Sequence, residues 1–471
     1  MLFNSLAFAI FLPFTLGIYW LLKKYTWQNA FLLLVSYLFY GWWDWRYLFL
    51  IAGCSLINYI AGIVISKNDT RWIRNTMLTL CCIVCLGALC LFKYFNFFIE
   101  SFVSLFALFG INWSPIVLNI ILPVGISFFT FQALSYTIDV ALGKLKPIYN
   151  IVDFFVFISF FPQLVAGPIE RATNLLPQFQ KKRSFNPDEV IHGITLLVYG
   201  LFKKMVVADT LSSYVDQVFD NYMLYNGLTC IIGAFFFSIQ IYCDFSGYSD
   251  SARGIAKLFG FELMLNFNRP YLATSFTDFW RRWHISLSTW FKDYLYIPLG
   301  GNRVSWPKTL RNLWIVFLVS GLWHGANCTF IIWGALHATY QTIAFLKNKL
   351  FTSTKQLNWA MVALKIAFVN VGVIFAWIFF RATSLKHAYD YIIQMFTGGM
   401  SFSLVSLCAG GGVVAFFLKF LVVGLLLGTY LMPNDCRFKS YKEAFLFTSF
   451  CILAIIFIGA PSGGEFIYFQ F

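Results

Sequence analysis

The chain has 471 residues, of which 59% are hydrophobic, 21% aromatic and only 11% charged, and its net charge is +14. A soluble domain is typically about one quarter charged, so this composition excludes an ordinary soluble enzyme and predicts an all-α polytopic membrane protein. So basic a balance would point to nucleic acid in a soluble chain, but here the Lys and Arg residues sit in short loops between apolar runs, so the lipid bilayer is the expected partner and nucleic acid is not.

A membrane-spanning helix needs about 20 apolar residues. Runs of that kind recur near residues 3–22, 27–43, 46–66, 76–92, 116–140, 151–166, 189–209, 227–246, 312–347, 360–380, 411–433 and 442–460. They predict about 11–13 membrane helices, with 312–347 long enough for two helices or one tilted one. The first run has no positive residue before it and Lys23-Lys24 after it. That order is the reverse of a cleavable signal peptide and predicts a retained helix with the N-terminus outside. Lys67 to Arg74, Lys181 to Arg183, Lys203-Lys204 and the Arg281–Arg311 region are expected mostly on the cytoplasmic side. Segment Phe95–Gly110 is aromatic and short, and reads as an interfacial or re-entrant helix. The chain shows no soluble domain and no internal repeat, which predicts one domain over 1–471 with residues 265–311 as an amphipathic cytoplasmic-side region inside it.

Cys54, Cys81, Cys82, Cys85, Cys90, Cys230, Cys243, Cys328 and Cys451 are embedded in apolar runs and read as buried thiols. Metal-ligand spacings, a Walker loop, a dinucleotide fingerprint and the G-x-S-x-G elbow are all missing from the sequence, so metal is not expected and an elbow-type serine hydrolase is disfavoured. Asp244-Phe245-Ser246-Gly247-Tyr248-Ser249-Asp250 places two acids and several hydroxyls at the end of an apolar run. They either orient a histidine or line a polar path, or they cap a helix beginning near Ser251.

At helical spacing, Arg281, His284, Ser288 and Lys292 share one polar face beside an aromatic one of Trp280, Trp283, Leu287 and Trp290. This predicts an amphipathic helix ended by the turn Pro298–Arg303. It is either a membrane-surface anchor or a functional segment, and His284 favours the second. His324 lies in an apolar run, where an ionisable side chain is by default a functional candidate. Gly321 and Gly325 leave space beside its imidazole, which makes it a candidate general base against the alternative of a helix-packing histidine. On one continuous helix His337 would be turned about 220° from His324. With His192 and His387 it is read as structural or peripheral.

The blocks Phe161–Arg171, Asp244–Asp250, Asn266–Tyr271, Phe279–Arg303 and Leu322–Asn327 resemble, in order and through most of the chain, the membrane-bound O-acyltransferase family, in particular its alginate-type branch. The resemblance implies a helical membrane fold around a polar tunnel, with a catalytic histidine matching His324 and a second signature histidine matching His284. It implies transfer of an acyl group, most simply acetyl, from acetyl-CoA, another cytoplasmic acyl thioester or an acyl-carrier donor. The group would cross the bacterial inner membrane to an extracytoplasmic acetyltransferase partner that modifies alginate or a similar exopolysaccharide. A thioester is already activated, so such a site needs a base, alignment and oxyanion stabilisation, and no metal or bound cofactor. Trp283, Ser288, Trp323, Asp244, Arg281 and Arg282 are the candidate substrate-binding or positioning residues. The competing reading is a proton-coupled transporter or exporter of a cell-envelope polysaccharide, which the missing repeat weakens and which thioester consumption separates from an enzyme.

Overall fold

A computed structural model describes the chain except residues 69, 112, 115–117, 119, 120, 166, 351–357, 434, 461–465 and 468–471. Part of the predicted 116–140 run and position 166 of the 161–171 block therefore lie outside the described residues. Among the described residues the secondary structure is helical, without a strand. Among the described residues, six stretches are long and apolar enough to cross a bilayer: Tyr47–Lys67, Arg71–Ala107, Pro187–Asp220, Gly227–Leu258, Trp359–Arg381 and Tyr441–Ile458. Leu6–Leu21, Ile151–Leu164 and Val413–Thr429 are shorter apolar helices. Large apolar side chains such as Leu6, Phe14, Phe49, Leu364 and Phe457 are exposed, as a lipid-facing surface requires. The chain is a multi-pass membrane protein.

It divides into two compact units, Met1–Gly193 with Ala252–Met264, and Ile194–Ser251 with Leu265–Phe471. The first unit contains α1 (Leu6–Leu21), α2 (Tyr25–Gly41), α3 (Tyr47–Lys67), α4 (Arg71–Leu89), α5 (Phe95–Ala107), α6 (Ile126–Ala141), α7 (Ile151–Ser159) and α8 (Ala172–Phe179). α3 packs on α4 and α6, and α2 packs on α7. Buried amides join these helices: Thr137 Oγ1 donates to Asn58 Oδ1 at 2.6 Å, and Asn29 Nδ2 donates to Asp153 Oδ1 at 2.8 Å. The expected separate helix at 95–110 is instead a continuation of α4 through a π-helical turn at Cys90–Tyr94, and none of the α5 side chains is buried. A wide turn keeps the backbone hydrogen bonds inside the chain, so no break is needed.

In chain order follow α9 (Pro187–Leu201), α10 (Asp209–Asp220) and α11 (Gly227–Leu258), then α12 (Phe276–Arg282), α13 (Ile285–Phe291), α14 (Trp306–His324), α15 (Cys328–Leu350) and α16 (Trp359–Arg381). In the second unit two glycine contacts set the packing. A Cβ on Gly200 would stand 2.4 Å from the carbonyl oxygen of Gly247, so only glycine lets α9 and α11 meet there. A Cβ on Gly321 would likewise stand 2.3 Å from the Phe330 carbonyl oxygen, and one on Gly334 2.3 Å from that of Phe317, which brings α14 and α15 together. The 312–347 run is thus two helices.

Two sequence expectations fail here for one reason, which is that charges in apolar surroundings turn inward to partners. Lys203 and Lys204 do not lie in a cytoplasmic loop. They are buried in a π-helical turn, Phe202–Ala208, that continues α9 into α10. Asp244 and Asp250 do not cap a helix starting near Ser251, because α11 runs unbroken through them. Lys204 Nζ is 2.7 Å from Asp244 Oδ1 and 2.8 Å from Asp209 Oδ1, while Lys203 pairs with Asp250 and donates to Ser246 Oγ at 3.0 Å. All eleven cysteines are free thiols; most are buried as expected, but Cys90 and Cys328 are exposed.

Candidate active site

The two singled-out histidines come together in the second unit. His324 is the last residue of α14, and Gly325 follows in extended conformation, which ends the helix. α15 restarts three residues later. Asn327 Oδ1 accepts from the Thr329 N–H at 3.0 Å, and its Nδ2 donates to the Thr383 carbonyl at 2.8 Å, so the motif Leu322–Asn327 is a helix–turn–helix joint. Contrary to the expectation from sequence, Gly325 does not leave room beside the imidazole. A Cβ there would strike the Phe330 ring at 2.1 Å, so both flanking glycines admit α15.

The His324 ring is 98% shielded and surrounded by aromatics. Its centroid is 5.0 Å from Trp323, 5.0 Å from Trp333, 5.3 Å from Phe380 and 6.4 Å from His284. Such a shell keeps bulk water off the ring and gives it few orientations.

His284 reaches this nest by a different route. The continuous amphipathic helix expected from residue 280 to 292 is broken at Trp283 and His284, between α12 and α13. His284 adopts φ 43° and ψ 53°, a left-handed conformation that costs a non-glycine residue about 1–3 kcal/mol. The cost is offset by a web around Asn266. Asn266 Oδ1 lies 3.1 Å from His284 Nδ1 and accepts from Ser286 N at 3.2 Å and Ser286 Oγ at 2.9 Å, while its Nδ2 donates to Ser249 Oγ at 2.9 Å. The Ile285 N–H donates to the Asn266 carbonyl at 2.9 Å. Because Oδ1 only accepts, His284 carries its proton on Nδ1 and leaves the lone pair at Nε2. Burial pushes its pKa down to about 3, so the ring is neutral at physiological pH.

The other candidates separate into two groups. Trp323 touches both histidines, with its ring 5.0 Å from His324 and 6.0 Å from His284. Trp283 is buried, stacked on Phe279 at 5.5 Å and set against Trp377 at 5.0 Å. Ser288 does not face the histidines, since its Oγ caps the Trp283 carbonyl at 3.2 Å. Asp244 does not orient a histidine either; it pairs with Lys204 and accepts from the Ile467 N–H at 2.7 Å. Arg281 is exposed, and Arg282 pairs with Asp278 at 2.9 Å on the same helix. His337 is not turned away, because it lies on α15 and His324 on α14, not on one continuous helix. Its ring is 4.8 Å from Trp333, the residue that also touches His324. His192 lies beside Glu189 at 3.8 Å, and His387 packs in the second unit against Tyr222 and the Phe219 carbonyl.

The residues missed from sequence are Asn266, Ser286, Trp333 and Phe380. Asn266 opens the block Asn266–Tyr271, and that position is the one signal in the sequence that marks it. Among the described residues no group of three or more His, Cys, Asp or Glu is placed to hold a metal ion.

A helical multi-pass membrane protein with two buried imidazoles in an aromatic nest is the class these features define. Residues 144–385 match the membrane-bound O-acyltransferase family. The chain is 42% identical to the probable alginate O-acetylase AlgI of Pseudomonas aeruginosa, over 85% of this chain and 75% of that protein. It is 34% identical to the peptidoglycan O-acetyltransferase of Helicobacter pylori, over 100% of this chain and 98% of that protein. It is 29% identical to the teichoic acid D-alanyltransferase of Bacillus subtilis, over 48% of this chain and 59% of that protein. The chain belongs to the membrane-bound O-acyltransferase family, and it is an acyltransferase.

Proposed function

We propose that this protein takes an acetyl group from a cytoplasmic thioester and passes it across the inner membrane for O-acetylation of an extracytoplasmic polysaccharide. The observation that carries the reading is the pair of buried histidines, 6.4 Å apart between ring centroids, in a family of acyltransferases. His324 is the general base. It takes the proton of the acceptor hydroxyl as the oxygen attacks the thioester carbonyl; the C–O bond forms, the C–S bond breaks, and the proton leaves with the thiolate. His284, locked by Asn266, offers Nε2 as an acceptor that aligns the reacting groups. The donor is acetyl-CoA or another acyl thioester, with an acyl carrier as the alternative, and a separate extracytoplasmic acetyltransferase receives the group. Alginate or a similar exopolysaccharide is the polymer supported by the AlgI relatives. Peptidoglycan is the second reading, supported by a relative that aligns along the whole chain.

The test uses cells lacking their own copy of this protein. Base-releasable acetate is measured separately on the exopolysaccharide and peptidoglycan fractions, with radiolabelled acetyl-CoA supplied to inside-out membrane vesicles. The wild-type chain should raise acetate in one fraction and consume label, and His324→Ala should do neither. Acetate unchanged by the wild-type chain in both fractions would overturn the reading.

A further inference from the structure

One side of α15 is not explained by helix packing. Thr329, Trp333 and His337 follow one another at intervals of four, so they share a stripe of the helix, and all three side chains are completely buried. Each carries a polar atom with no hydrogen-bond partner among the described residues: Thr329 Oγ1, Trp333 Nε1 and His337 Nε2. The proton on His337 can be placed. The Trp280 indole N–H donates to His337 Nδ1 at 3.3 Å, so Nδ1 holds the lone pair and the neutral ring carries its hydrogen on Nε2. Trp333 Nε1 is a donor in any state. Two N–H donors therefore lie buried on adjacent turns without a hydrogen-bond acceptor among the described residues. Buried donors are almost always paired with protein, water or ligand, and leaving one unpaired is unfavourable.

Their location gives the unmet acceptor a role. Trp333 touches both imidazoles, with ring centroids 5.0 Å from His324 and 4.8 Å from His337. We propose that Trp333 Nε1–H and His337 Nε2–H form a buried subsite beside His324 that binds the carbonyl oxygen of the acyl group in transit. The subsite rests on the reading of His324 as the base. When the acceptor hydroxyl attacks, the carbonyl π electrons move onto that oxygen, and two fixed donors in a water-poor nest stabilise the charge without giving up a proton. Before the acyl group arrives, an ordered water occupies the same position.

The variants are made in the full chain and compared at equal membrane abundance by base-releasable acetate in cells lacking their own copy. Trp333→Phe keeps the ring and removes the donor, His337→Leu removes the donor, and His337→Gln returns an amide N–H near the same place. The expected result is a fall of about 10²-fold for Trp333→Phe and His337→Leu, the size of losing one oxyanion donor, with most of the activity recovered in His337→Gln. Full activity in Trp333→Phe and His337→Leu, or a His337→Gln protein as inactive as His337→Leu, would overturn the subsite. An experimental density map of the purified wild-type protein judges it independently of the donor and polymer. An oxygen within about 3.2 Å of both N–H groups supports the subsite, and its absence refutes it. If the wild-type chain adds no acetate to cells, the acyl-delivery reading fails, and the map alone decides.

Discussion

The histidine nest and the lysine–aspartate cluster lie in the same unit, and both bury polar groups in a chain built for lipid, yet they do so by opposite means. In the cluster, Lys204 sits between Asp209 and Asp244, and Lys203 between Asp250 and Ser246. In the nest, imidazoles are held by other rings and by the Asn266 amide. Removing a charge from water is expensive unless an opposite charge meets it, and a carboxylate already committed to an ammonium has little left to offer a substrate. A neutral imidazole is cheaper to bury and keeps a lone pair for chemistry. An ionisable residue in an apolar run is therefore a functional candidate only until its partner is seen.

That contrast breaks most sharply at His324. His324→Ala should lower acyl transfer by about 10²–10⁴-fold while gel filtration and thermal melting in detergent stay close to wild type. Near-wild-type acetylation would return His324 to the packing role. The opposite signature is expected at Lys204. Lys204→Ala strands Asp209 and Asp244 together, a loss of about 3–5 kcal/mol, and should show first as low membrane abundance and a depressed melting temperature. Replacing both carboxylates by amides in the same chain should recover much of the abundance. If Lys204→Ala melted normally but lost activity, the cluster would belong to the chemistry after all.

A smaller effect tests how the nest is held. Asn266→Ala leaves the His284 Nδ1–H and the Ser286 hydroxyl without their shared acceptor, a penalty of about 1–3 kcal/mol. Activity should fall about tenfold or more, and the fall should not deepen in the His284→Ala background, because both changes act through one ring. Additive losses would detach Asn266 from His284.

The smallest effect lies in the first unit, at Glu170. Its carboxylate is buried, accepts from Asn174 Nδ2 at 2.8 Å and from the Met264 N–H, and burial raises its pKa to about 7. The folded chain thus holds a proton that the unfolded chain releases near pH 4.5, the ordinary value for this side chain. Stability from this group is present in full below that pH, falls as pH rises to about 7 and is level above it. Glu170→Gln imitates the protonated form and should flatten the fall in melting temperature between pH 5 and 8 by a few degrees at most. An unchanged slope would place the titration elsewhere.

Sequence alone determined that the protein lives in a bilayer, that its apolar runs are helices, and that His284 and His324 belong to blocks shared with an acyltransferase family. Composition, periodicity and motif order are carried by neighbouring residues, so they survive without knowledge of the fold. Tertiary structure decided the rest. The spacing of Arg281, His284, Ser288 and Lys292 suits one long helix, and hydrogen bonds to Asn266, eighteen positions before His284, hold the left-handed break that turns the imidazole inward. Gly321 and Gly325 look like space beside the imidazole until α15 is seen to fill it. Lys203-Lys204 reads as a loop charge because a sequence does not reveal that Asp244 and Asp250 face it across a glycine contact between α9 and α11. In each case the deciding partner is remote along the chain, and hydrogen bonds, ion pairs and ring contacts depend on distance in space.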